Sequence, residues 1–199
     1  GFPALAGIAR RARIHLSAAG YYRTPDITWN RDTQTGTPFY YFTYGAACSE
    51  VIVDTLTGEM RVTRVDILQD VGRSLNPAID TGQVEGAFVQ GMGWLTSEEL
   101  VFDAAGRLAT HAPSTYKIPV ASDVPEDFRV TLRPGANPKP TIYRSKGVGE
   151  PPLMLAISVF SAIVDALHAL RPGAVVALDA PATPERIAFA AARLRKAVT

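Results

Sequence analysis

Side chains that bind metals are scarce in this sequence. Cysteine occurs once, at Cys48, and histidine three times, at His15, His111 and His168. A single thiol excludes an internal disulfide and any cysteine-ligated zinc or iron–sulfur site built from this chain. The three histidines are too scattered to share a metal through local spacing, so each reads as a surface or structural residue. A metal handled here is therefore expected to arrive on an organic cofactor, with no metal-ligating residue assigned. An excess of one charge is also lacking. Lys and Arg total 20 against 19 Asp and Glu, a net charge of +1. That balance predicts no nucleic-acid partner and no anionic membrane. The small cluster Arg10, Arg11 and Arg13 reads as a solvated face or a subunit contact. Long apolar runs are missing too. The longest, Pro151 to Val164, is interrupted by Ser158 and Ser161 and ends at Asp165. It is too short to span a bilayer and reads as a buried core helix. Gly1-Phe2-Pro3 leads into an arginine-rich stretch and not an apolar segment, so no signal peptide is read and a cytoplasmic location is expected. No repeat or low-complexity segment appears.

What remains is ordinary globular composition, 47% hydrophobic and 20% charged over 199 residues. That length suits one domain or one lobe of a larger one. Residues 1–199 are read as a single lobe. The chain opens on Gly1 and not Met, which predicts a fragment, a processed product or part of a subunit.

Periodicity predicts a helix from Phe2 to Leu16, with Ala4, Leu5, Ile8 and Ala12 on one face. Ser17 to Pro38 reads as a long irregular loop. Phe39 to Asp54 is strand-like, Asp54–Gly58 is a turn, and Met60 to Gln69 is a second strand paired with the first as a hairpin. Asn76 reads as an N-cap with Pro77 at the first helical position. The helix that follows carries Val84, Ala87, Phe88, Gly91 and Leu95 on one face. It also holds Gly82, Gly86, Gly91 and Gly93, each costing about 1 kcal/mol relative to alanine. Such a set points to close approach of a backbone or a ligand, although tight helix packing explains Gly86 and Gly91 equally well. Gln83 and Gln90 share a face. Leu100 to Phe102 reads as a short strand, Thr110 to Pro119 as extended, and Phe128 to Leu132 as a strand. Pro151 to Leu170 reads as one mostly buried helix. Thr183 caps a last helix, with Pro184 at its first position.

The stretch Ser145-Lys146-Gly147-Val148-Gly149-Glu150-Pro151-Pro152-Leu153 carries the clearest chemistry. Gly147 and Gly149 are free to take backbone angles closed to other residues, and so let a ligand approach the main chain. Pro151 is expected to push Glu150 out of the helical region while itself starting a helix. Glu150 would then sit at the positive end of a helix dipole, which favours a carboxylate. A fixed, ionised, partly buried carboxylate suits a general base. From spacing alone, an acidic residue at a helix start without any chemistry is the favoured reading, because such helix ends are common.

This segment resembles one near the C-terminus of the molybdenum subunit of xanthine dehydrogenases and related molybdenum hydroxylases. Asn76–Gly91, Pro113–Pro119 and Tyr44–Glu50 resemble the same family, in family order, so the likeness spans about Leu16 to Arg171. It implies an α+β fold, with helices packed on mixed sheets, as the C-terminal lobe of a larger molybdenum cofactor-binding domain. It implies that Glu150 is the active-site base, acting on a molybdenum-bound hydroxide as a purine of the xanthine or hypoxanthine type is hydroxylated toward urate. Gln83 is implied to lie against the molybdenum–molybdopterin cofactor. Gly149 and Lys146 are implied cofactor neighbours, Lys146 neutralising a cofactor oxygen or Glu150, or else serving as a surface charge. The resemblance further implies [2Fe–2S] clusters and FAD on other domains or chains, passing electrons to NAD. It implies partners in the remainder of the molybdenum subunit and an iron–sulfur/FAD subunit, within a higher-order oligomer. Alternatives are a sibling enzyme acting on aldehydes or other heteroaromatics, and a non-catalytic structural module of the same fold. The presence of Glu150 and both glycines weighs against the last.

Overall fold

A computed structural model of the chain describes residues 1–196. The chain falls into two compact units that meet in sequence between Tyr40 and Tyr41.

In the first unit, helix α1 spans Phe2–Arg11. It stops short of the predicted Leu16 because Arg13 turns into the left-handed region at φ 56°. There the Ile14 N–H reaches back to Ala9 O and the Arg13 N–H to Arg10 O, the paired closure that ends a helix and satisfies its last carbonyls. Residues 17–38 are not wholly irregular. Strand β1 (Thr28–Asn30) pairs antiparallel with β2 (Thr35–Thr37). Asn30 Oδ1 accepts from the N–H groups of Asp32 and Thr33. The hairpin rests on this turn chemistry and on strands without apolar alternation, so periodicity could not reveal it.

The second unit is built on a three-stranded mixed sheet. Strand β3 (Gly45–Val53) and β4 (Met60–Gln69) form the predicted hairpin, closing with Val53 opposite Met60. Asp54 Oδ1 holds the turn by accepting from Leu56 N and Thr57 N. Strand β5 (Asp127–Leu132) adds to β4 in parallel. The β3–β4 register shifts between Glu50 and Val51, leaving Thr63 as the extra residue. That bulge resets the alternation, so Val62 and Val65, three apart, both face the core.

Helix α2 (Pro77–Thr96) starts as predicted, with Asn76 Oδ1 accepting from Ile79 N at 3.4 Å. Its predicted inner face, Val84, Ala87, Phe88, Gly91 and Leu95, is buried. Leu100–Phe102 forms only a single bridge, Phe102 to Leu108. Thr110–Pro119 is not fully extended, because Tyr116 N bonds back to Ala112 O.

The helix predicted from Pro151 is two segments. Pro151–Ala156 winds as a 3-10 helix and only Ile157–His168 (α3) is α-helical. Two successive prolines supply no N–H donors, and Leu153 N closes the tighter bond to Glu150 O. The stretch Pro151–His168 is long and apolar enough, by length and composition alone, to cross a membrane. Its stripe Val159, Ile163 and Leu167 is nevertheless fully buried in the protein core, and Ser158 bonds Ser49 of β3. Burying each such aliphatic side chain is worth about 1.5–3 kcal/mol. Helix α4 (Pro184–Lys196) begins after Thr183, whose Oγ1 accepts from Arg186 N. Ile187, Ala190, Ala191 and Leu194 join the same core. This is an α+β arrangement, as expected.

Candidate active site

The site forms where β4 ends and the 3-10 segment begins. Beyond Gln69 the chain reaches Asp70 and then Gly72, whose φ of +62° requires a residue without a side chain. A Cβ at Gly72 would fall 2.6 Å from Arg144 O. This close approach lets Gly72 bridge to Ser145. The strand end therefore receives the Ser145–Leu153 loop directly. Lys146 N donates to Val71 O at 2.9 Å.

The residues just before the loop are strained. Tyr143 and Arg144 both take positive φ, 50° and 61°, at a cost of about 1–3 kcal/mol each for non-glycine residues. Asn137, fully buried, offsets this strain. Its amide donates to Ser145 O and Thr141 Oγ1, and Thr141 Oγ1 in turn donates to Ser145 O at 2.6 Å.

Lys146 is neither a surface charge nor a partner of Glu150. Its side chain is only 6% exposed, and its ammonium donates to Asp70 Oδ2 at 2.6 Å and to Phe42 O at 2.8 Å. The ammonium also lies 5.5 Å from the centre of the Tyr44 ring. Burial alone would raise the Asp70 carboxyl. The bonds from Lys146 and the Gly72 N–H, together with the charges of Lys146 and Arg133, outweigh that and hold it below the usual carboxylate range. Gly147 N donates to the Tyr41 hydroxyl at 2.8 Å.

Neither Gly147 nor Gly149 takes a positive φ. What Gly149 provides is space. A Cβ there would sit 3.3 Å from Gln83 Oε1, so the α2 amide lies against the loop. Gln83, Gly149 and Glu150, all singled out in sequence, are thereby brought together. Glu150 departs from expectation in two respects. Its backbone is in the right-handed helical region, φ −106° and ψ −43°, despite the following proline. Its side chain is exposed and not partly buried. It stands at the N-terminal end of the helical segment and makes no capping bond.

Helix α2 presents Ile79, Gly82, Gln83, Gly86 and Gln90 outward. This face carries no charged residue. A Cβ at Gly82 or Gly86 would meet nothing within 4 Å. The other two glycines are packing positions. A Cβ at Gly91 would strike Leu153 O and come within 2.8 Å of Ala156 Cβ, and one at Gly93 would strike Pro119. Tight packing thus explains Gly91 and Gly93, while Gly82 and Gly86 lie open. Among the described residues no group of His, Cys, Asp and Glu could hold a metal ion. Sequence reasoning missed Asp70, Tyr41 and Asn137. The one available signal was Asp70 itself, an acid directly after a strand whose alternation is otherwise apolar toward the core.

A sequence profile of the molybdopterin cofactor-binding domain family matches residues 1–125. The chain belongs to that family. It is 54% identical over 181 residues to the xanthine dehydrogenase/oxidase of Felis catus, an alignment covering 87% of this chain and 14% of that protein. It is 50% identical over 182 residues to aldehyde oxidase 1 of Cavia porcellus, covering 89% of this chain and 14% of that one. The chain thus spans about 14% of the length of the curated relatives it matches. The fold is similar to that of quinoline 2-oxidoreductase from Pseudomonas putida 86, with a TM-score of 0.65 and 34% identity over 71% of this chain and 18% of that one.

Proposed function

We propose that this chain is part of a molybdenum hydroxylase oxidising purines of the xanthine and hypoxanthine type, with Glu150 as its general base. The observation that carries this reading is the open, uncharged α2 face beside the Glu150 loop. Its residues fit a bulky polar cofactor. Gly82 and Gly86 permit close approach, Gln83 and Gln90 offer amide donors and acceptors, and Gly149 leaves the loop backbone accessible. When bound, the molybdopterin cofactor supplies the two-electron oxidation through its molybdenum.

Moving the proton falls to this chain. A base must be ionised before it can accept a proton, and Glu150 stands exposed at the start of the 3-10 segment. Among the described residues no hydrogen bond or ion pair holds the carboxylate, so one of its oxygens is free to take the proton released as the substrate carbon is hydroxylated.

The [2Fe–2S] clusters, FAD and the NAD acceptor are assigned to other domains or chains, since Cys48 alone cannot supply four thiolates. Exposed apolar side chains such as Phe2, Tyr21, Leu56 and Val175 support burial against the rest of the molybdenum subunit and an iron–sulfur/FAD subunit, within a cytoplasmic oligomer. A sibling activity on aldehydes or other heteroaromatics is the second reading, favoured by the 50% identity to an aldehyde oxidase.

The test begins with molybdenum and pterin analysis of the intact protein, followed by turnover of xanthine against an aldehyde. Faster xanthine turnover supports the first reading and faster aldehyde turnover the second. Absence of molybdenum from the intact protein would sink both. Glu150→Gln is expected to lower kcat about 10²–10⁴-fold with the cofactor retained. Near-native turnover by that variant would remove Glu150 from the mechanism.

A further inference from the structure

The strongest feature left over is the ion pair between Lys146 and Asp70. It is built from residues 76 apart in sequence, both carrying side chains 6% exposed. Such burial is costly unless both charges are well paired and hydrogen-bonded. Here they are. Asp70 accepts from the Lys146 ammonium and from Gly72 N, and Arg133 stands 3.8 Å away. Lys146 adds its bond to Phe42 O. The next residue, Gly147, is tied by its N–H to Tyr41. The loop is therefore clasped at residues 146 and 147.

Its other end is clasped as well. Leu153 N bonds Glu150 O, and the Leu153 carbonyl lies so close to Gly91 that a side chain there would collide with it. Between Gly147 and Leu153 run only Val148, Gly149, Glu150, Pro151 and Pro152. With both ends held, the short span has little freedom to move the Glu150 backbone relative to Gln83.

We propose that Asp70, acting through Lys146, is a positioning residue for Glu150. Lys146 is thereby assigned to the clasp and not to the cofactor. The inference rests on the reading of Glu150 as the base. A reacting group displaced by about 1 Å can lose about 10²-fold in rate. The clasp should therefore act on kcat and leave KM little changed.

The test uses the intact, cofactor-loaded protein carrying Asp70→Asn, Lys146→Met and the double variant. The readouts are kcat per bound molybdenum, KM, and amide hydrogen exchange over residues 145–150. The expected result is a fall in kcat of about 10- to 100-fold per molybdenum in each single variant, with KM within about twofold. The double variant should be no slower than the worse single one, since the two residues act as one unit. Exchange over 145–150 should quicken in all three. The double variant also leaves no unpaired buried charge, which guards against simple misfolding. If instead activity falls only in proportion to lost molybdenum, with exchange unchanged, Lys146 serves cofactor retention and the positioning role is overturned. Near-native turnover by Glu150→Gln would overturn the base itself. An unchanged exchange rate alongside an inactive Glu150→Gln would overturn only the clasp.

Discussion

Two glycines on one helix should respond in opposite ways to the same substitution. Replacing Gly91 by alanine places a methyl against the Leu153 carbonyl and 2.8 Å from Ala156 Cβ. Carbon atoms prefer about 3.5–4.0 Å, so α2 and the 3-10 segment must part by roughly 1 Å. Neither obstacle is the flexible end of a side chain. Overpacking of this kind costs about 1–3 kcal/mol. The gain in helix propensity returns about 1 kcal/mol, leaving a net loss of about 0–2 kcal/mol, centred near 1 kcal/mol. At Gly86 the methyl would meet nothing within 4 Å, so only the propensity gain of about 1 kcal/mol remains. Hydrogen exchange over residues 77–96 and 151–168 in the intact apoprotein reads both. Gly91→Ala should quicken exchange about 5-fold, and at most about 30-fold, and Gly86→Ala should slow it. In the loaded protein Gly86→Ala should also lower molybdenum occupancy, because its methyl would stand on the face assigned to the cofactor. Gly91→Ala exchanging no faster than the parent would refute the packing account. Full occupancy in Gly86→Ala would refute the cofactor face.

Further expectations follow from the same geometry. The Asp70 carboxyl is held low because the Lys146 bond, the Gly72 N–H and nearby cations outweigh burial. A folded pKa below the unfolded value of about 3.9 stabilises the protein fully above that pH and loses its effect as pH falls through the folded value. Asp70→Asn should thus flatten the acid dependence of exchange over residues 145–150 below about pH 4. Asn76→Ala removes the bond to Ile79 N and should cost about 1 kcal/mol, visible as faster exchange in the first turn of α2. The Tyr116 phenol, bonded to Glu98 and partly desolvated, ionises above its usual pH. Glu98→Gln should lower that value toward about 10 in an ultraviolet titration, and an unchanged titration would discount the bond.

Short-range features were legible in the residues themselves. The β3–β4 hairpin, the Asn76-Pro77 start of α2 and the Thr183-Pro184 start of α4 depend on turn, cap and alternation rules acting over a few positions. Glu150 and Gln83 were singled out through the segments that resemble the molybdenum hydroxylase family, and the helix pattern around Gln83 by itself favoured packing. Glycine alone could not reveal which neighbour it served. Gly91 and Gly86 look alike in sequence, yet one touches Leu153 and the other faces open space. The 3-10 winding after Glu150, and the exposure of its carboxylate, depended on two prolines and on packing beyond the motif.

The sequence by itself singled out Glu150 as the candidate base, the helical segment it precedes and the single thiol that cannot hold a cluster. Each is a matter of residue type and local spacing. Only tertiary structure decided the parallel place of β5 beside β4, the approach of Gln83 to Gly149, and the pairing of Lys146 with Asp70. These contacts join residues tens of positions apart. Burial sets their strength, and burial is a property of the assembled core that no local pattern encodes.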